Sequence, residues 1–196
     1  MKNIIAIFIG VLSISWVNLK AQEQAHYFYP VVGGLINSVD GKNFFLIELP
    51  GKDSVTIYNA LKKRIIKNFD DSKNVFVADD PNKYIRIFGR QQKSIGSGEY
   101  STFDFTYNVD IDIKNGKYKF YFTNIKIDRL AKNGQIVSLV MKNGDNLFAD
   151  TEKYLFHNNK PSKAFSSQYL DLVKWIDVIS KIVDVRDSID NKGEDW

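Results

Sequence analysis

The chain of 196 residues has no cysteine and only two histidines. Without cysteine there can be no disulfide, no thiolate nucleophile and no lipid attached to an N-terminal cysteine, so the fold must be held by its core. His26 and His157 lie in segments that show neither strand nor helix periodicity. Neither stands in an H-x-x-x-H, G-x-S-x-G or S-x-x-K context, so both are expected to be polar surface without a positioned partner.

Long hydrophobic runs are absent with one exception at the start. Lys2 precedes the apolar run Ile4 to Val17, and Leu19-Lys20-Ala21 ends in a small residue before Gln22. The run is short for a bilayer crossing and reads as a signal peptide over residues 1–21, cleaved after Ala21. Retention as an N-terminal anchor is the alternative, because Leu19 is larger than the usual residue at that place. Export to the periplasm or the exterior is the expectation, with no transmembrane segment after cleavage.

Excess charge is lacking as well. The formal charge is +4, and losing the leader removes Lys2 and Lys20 but no acid, which lowers it by two. So small an excess argues against a nucleic-acid partner. What remains is 44% apolar and 26% charged, enough to build one domain with a real core. That domain is expected over residues 40–190, after a lead-in at 22–39 and before a tail at 191–196.

Within it, Asp40-Gly41 signals a turn, and Asn43 to Leu49 reads as a strand with Phe45, Ile47 and Leu49 on one face, closed by Pro50-Gly51. Asp53 or Ser54 can cap a helix whose Ile57, Leu61, Ile65 and Phe69 share a face. Its basic cluster, Lys62, Lys63, Arg64 and Lys67, is a solvated outer face favoured by the helix dipole or, alternatively, a surface for an anionic partner. Asn74 to Ala78 and Tyr84 to Phe88 read as strands around a turn at Asp79-Asp80-Pro81-Asn82. Gly89 is expected to end the second of them, with residues 90–100 a loop tipped by Gly96-Ser97-Gly98.

The strongest alternation runs from Ser101 to Lys114, with Phe103, Phe105, Tyr107, Val109, Ile111 and Ile113 on one face. Asn115-Gly116 makes a two-residue turn, which pairs Ile113 with Tyr118, Ile111 with Phe120 and Val109 with Phe122. Ile125 and Ile127 then fall out of phase, predicting a bulge near Thr123-Asn124. Further Lys-Asn-Gly turns at 132–134 and 142–144 flank the apolar run 135–141, and their unequal spacing makes them independent turns rather than a repeat. Residues 149–165 read as a connection. A long helix is predicted from Ser166 to Ile189, with a stripe of Tyr169, Leu172, Val173, Ile176, Ile179 and Val183, broadened by Trp175, Val178, Ile182 and Val185.

Strand, helix, four strands and helix follow in that order. The turns Asp40-Gly41-Lys42, Leu49-Pro50-Gly51 and Asp112 to Tyr118, with Ile57-Tyr58, Gly89 and Asn124-Ile125, resemble a bacterial secreted family of unknown function with a TATA-binding-protein-like (TBP-like) fold, over about Asp40 to Ile127. The resemblance implies an α+β fold of β-α-β4-α order, a twisted antiparallel sheet with helices on one face. It implies export and no activity. One departure is that the glycine usual in the 79–84 turn is missing.

Asp110 and Asp112 invite comparison with a calcium loop, but Lys114, Asn115 and Tyr121 stand where such a loop needs a ligand, a glycine and a glutamate. The hairpin register instead faces Asp112 toward Lys119 and Asp110 toward Tyr121. No metal, no cofactor and no catalytic residues are expected. The outward positions Phe44, Tyr84, Arg86, Phe88, Lys119 and Tyr121 interleave aromatics with charges, as contact surfaces do. Asp104, Asp110 and Asp112 on that face oppose DNA binding. The expectation is an exported, non-enzymatic binding module that uses the open sheet face for a protein or small ligand of the cell envelope. The alternative is a hydrolase with an unrecognised carboxylate site, Asp110 with Asp104 or Glu48.

Overall fold

Alternation of large apolar and small polar residues dictates the centre of the molecule, and the Asn115-Gly116 turn dictates how that centre pairs. In the computed structural model, which describes residues 26–31, 34–71, 74–92, 103–130, 136–142, 156–158, 160–161, 163 and 166–190, two short strands come first, β1 (Phe28–Val31) and β2 (Gly34–Asn37). Strand β3 (Phe45–Glu48) leads into helix α1 (Ser54–Asn68). Four strands follow, β4 (Phe76–Asp80), β5 (Tyr84–Gln92), β6 (Phe103–Lys114) and β7 (Lys117–Leu130). Then come β8 (Ile136–Lys142), β9 (Phe156–His157), β10 (Lys160–Pro161) and helices α2 (Ser166–Val183) and α3 (Arg186–Asp190).

The sheet runs β3-β7-β6-β5-β4, all antiparallel, so the first strand of the domain lies beside the last of the four after α1. This is the expected α+β arrangement. The hairpin register agrees with the reading from the turn, with Ile113 opposite Tyr118, Ile111 opposite Phe120 and Val109 opposite Phe122. Asn108 then pairs with Asn124, leaving Thr123 as the extra residue of the predicted bulge. The bulge divides β7 along its outer edge. Before it β7 pairs with β3, and after it β7 pairs with β8, which is a sixth strand.

The core lies between the odd-numbered face of β6 and the helices. Val109, Ile111, Phe120, Ile85 and Ile87 from the sheet meet Ile57, Leu61 and Ile65 of α1 and Leu172, Ile176 and Val183 of α2. Trp175 lies across Phe105 and Tyr107, its centroid 3.6 Å and 4.8 Å from theirs, so this part of the broadened stripe is core. Val178 is exposed.

The turn motifs hold one another. Asp53 caps α1 by accepting Thr56 N–H at 2.7 Å, which lowers its carboxyl pKa, and Ser54 N–H donates to Asn115 Oδ1 at 2.9 Å. Leu49 N–H donates to Gly116 O at 2.7 Å and Gly116 N–H to Lys52 O at 2.8 Å. Leu49-Pro50-Gly51 and Lys114-Asn115-Gly116 are therefore the two sides of one junction. In the turn after β4, Asn82 adopts φ 66°, doing the work of the absent glycine.

Several expectations are corrected. Strand β5 does not end at Gly89 but runs to Gln92. The Tyr107 ring lies across that glycine, where a Cβ would come within 2.1 Å of the ring, so Gly89 makes room inside a strand rather than stopping it. Strand β4 lies two residues later than read, because Asp79 is held on the helix side of the sheet by Tyr58 Oη and Lys62 Nζ, each donating at 2.7 Å. The long helix breaks at Asp184-Val185, between α2 and α3. Of the lead-in, Phe28–Val31 and Gly34–Asn37 pair as the antiparallel strands β1 and β2, with Phe28 fully buried against Phe120 and Phe122. The leader 1–21, the Gly96-Ser97-Gly98 tip, the turn at 132–134, residues 143–144 of the next and the tail 191–196 lie outside the described residues.

Candidate functional site

On the sheet face away from the helices, even-numbered side chains of β5 and β6 and odd-numbered ones of the first half of β7 form cross-strand rows. One row reads Leu46, Lys119, Asp112, Tyr84 and Asp80, and the next reads Tyr121, Asp110, Arg86 and Ala78. The six predicted residues thus come together. Lys119 Nζ sits 5.3 Å from the Phe44 ring and 5.4 Å from the Tyr121 ring, and it pairs with Asp112 at 3.2 Å. Arg86 lies 5.9 Å from the Tyr84 ring. Phe88 and Leu46 are exposed on the same face.

Asp110 is expected from the sequence to face outward opposite Tyr121. The register holds, but the residue is only 2% exposed. Arg86 clasps it with two bonds, Nε to Oδ1 at 2.6 Å and Nη2 to Oδ2 at 2.8 Å. Burial and the adjacent Asp110 carboxylate push the Tyr84 phenol up to about 12, and burial together with Asp112 and Asp110 raises that of Tyr121. Farther along the face Arg90 clasps Asp104, and Lys126 pairs with Asp128 at 2.8 Å. Along the middle of this face Arg86, Arg90, Lys119 and Lys126 all have carboxylate partners, whereas Lys114 and Lys117, flanking the Asn115-Gly116 turn at its end, take part in no ion pair among the described residues.

Two clasps behind the sheet escaped the sequence. His26, expected to lack a partner, pairs through Nδ1 with Asp177 of α2, whose other oxygen accepts Tyr27 N–H at 2.8 Å. No sequence signal links residues 151 positions apart. At the helix break, Asp184 accepts from Tyr27 Oη at 2.6 Å and from Arg186. Burial pushes the Asp184 carboxyl up, but the bonds from Arg186 and Tyr27 outweigh it and hold the group below the usual carboxylate range. Tyr118 Oη fixes the same corner, donating to Val183 O at 2.8 Å and accepting Val185 N–H at 3.0 Å. His157 is exposed on β9. Among the described residues no group of three or more His, Asp or Glu side chains could hold a metal ion, and no helix is long and apolar enough to cross a membrane.

Two crystal structures are similar to this chain. A DUF4468 family protein from Bacteroides ovatus ATCC 8483 has 16% identity and a TM-score of 0.55, with 80% of this chain and 88% of that one covered. A TBP-like protein from Parabacteroides distasonis ATCC 8503 has 13% identity and a TM-score of 0.50, with 76% and 91% covered. At such identities the likeness is one of fold. No curated protein matches the chain. The segment from β3 to β7, residues 46–128, matches the model of a family described as a domain of unknown function (DUF4468) with a TBP-like fold.

Proposed function

We propose that the protein is an exported, non-enzymatic binding module whose sheet face docks a protein partner of the cell envelope. The observation that carries this reading is the pairing of charges around exposed Leu46 and Phe88 and the rings of Phe44, Tyr84 and Tyr121. A lone charge is costly to strip of water, whereas a clasped pair loses less on burial, so such a face can be covered by a partner at modest cost. The apolar leader supports export.

The hydrolase reading has less support. Both oxygens of Asp110 and of Asp104 are occupied by an arginine, which leaves neither positioned to exchange a proton with a ligand.

The test is retention of proteins from envelope extract of the native host on the immobilised chain. Phe88→Ala with Tyr121→Ala should remove the retained partner while circular dichroism and the melting profile show a folded protein. Undiminished retention by that folded variant would contradict the proposal.

A further inference from the structure

The basic cluster of α1 does not act as one solvated face. Lys62 turns to the sheet edge, pairing with Asp79 at 2.7 Å, with its ammonium 5.2 Å from the Phe76 ring. Lys63, Arg64 and Lys67 point the other way, into a groove of about 760 Å³ between α1 and the corner where α2 meets α3. Lys181, from the last turn of α2, enters it from the opposite wall. Arg64 bridges the walls, Nη1 donating to Ser188 Oγ at 3.1 Å and Nη2 to Lys181 O at 2.9 Å. Its fork is committed to the protein.

The three lysines are not. Lys63, Lys67 and Lys181 take part in none of the ion pairs among the described residues, nor does Asp187, the groove's single carboxylate. A helix dipole accounts for Lys67 and Lys181, each in the last turn of its helix, taken one at a time. It does not account for Lys63, or for three unpaired lysines lining one concavity together with an arginine. Like charges gathered there repel one another, and a bound anion relieves that repulsion.

We propose that this groove binds a small ligand carrying two or more phosphate groups. Lysines act as compact point charges that suit phosphate, and the planar fork of Arg64, which would match carboxylate or phosphate alike, is already used by the protein. Lys63 and Lys67 stand one turn apart, with Lys181 facing them, so separate phosphates on one molecule can be met together. Asn59 and Thr56 add neutral donors along the same helix face, and the volume falls within the roughly 300–1,000 Å³ of small-molecule sites. The site lies on the helix side and is independent of docking at the sheet face.

The test is calorimetric titration of the full chain with inorganic tripolyphosphate at low ionic strength. Saturable one-to-one binding is expected, weakened about tenfold or more in the triple variant Lys63→Gln/Lys67→Gln/Lys181→Gln. The variant Lys114→Gln/Lys117→Gln/Lys174→Gln, which removes equal charge from other unpaired lysines, should bind as the parent does. No saturable binding, or equal weakening in both variants, would overturn the proposal. A parent-to-variant difference on tripolyphosphate alone assigns the site to soluble phosphates, and the same difference on phosphatidylglycerol vesicles extends it to lipid headgroups.

Discussion

The two sides of this molecule carry cations in different ways. On the sheet face Arg86, Arg90, Lys119 and Lys126 each meet a carboxylate across or along strands, whereas in the α1 groove Lys63, Lys67 and Lys181 meet none. The difference follows from secondary structure. Strand register sets opposite charges directly across from each other, so a polar face can neutralise itself. Helix packing brings two basic helix ends to one corner without supplying acids to match. Paired cations build structure, and unpaired ones gathered in a groove are left for a ligand.

The contrast breaks first at Arg86. Arg86→Met would leave the Asp110 carboxylate buried without its counter-ion, and a loss of about 2–3 kcal/mol is expected in denaturant unfolding, the partial exposure of Arg86 softening the cost. Replacing both partners, Arg86→Met with Asp110→Leu, should recover much of it. A full-sized loss in the double variant would mean that packing rather than charge pairing is responsible.

The clasp at the helix break extends the contrast to pH. Asp184 and Asp79 both have folded pKa values below the ordinary 3.8. The stability they contribute is present above that ordinary value and lost as pH falls through the lower folded value. Asp184→Asn should cost about 1–3 kcal/mol at neutral pH and flatten the acid limb of the melting-temperature profile below about pH 4. An unchanged acid limb would show that the clasp adds no pH-dependent stability. The smallest effect belongs to the groove. The triple lysine-to-glutamine variant should unfold within about 0.5 kcal/mol of the parent, because no folded-state partner is lost.

Much of the sheet was legible because its determinants are local. The alternation of β6 and the Asn115-Gly116 turn set the hairpin register, and the phase change at Ile125 marked the Thr123 bulge. The six face residues could be named for the same reason. What stayed hidden depends on distant partners. Gly89 looked like a terminator until the Tyr107 ring above it was seen, and Asp184 breaks a helix because Tyr27, Tyr118 and Arg186 converge on that corner. Asp110 alternated as an exposed residue, yet Arg86 on the neighbouring strand covers it. Lys181 belonged to a different basic segment from Lys63 and Lys67, and only the packing of α1 on α2 joins them.

The most direct test of paired against unpaired charge is a residue-resolved NMR titration with tripolyphosphate. Saturating shifts are expected at Lys63, Lys67 and Lys181, with Arg86, Arg90 and Lys119 unmoved. Comparable shifts on both sides of the molecule, or shifts confined to the sheet face, would contradict the account.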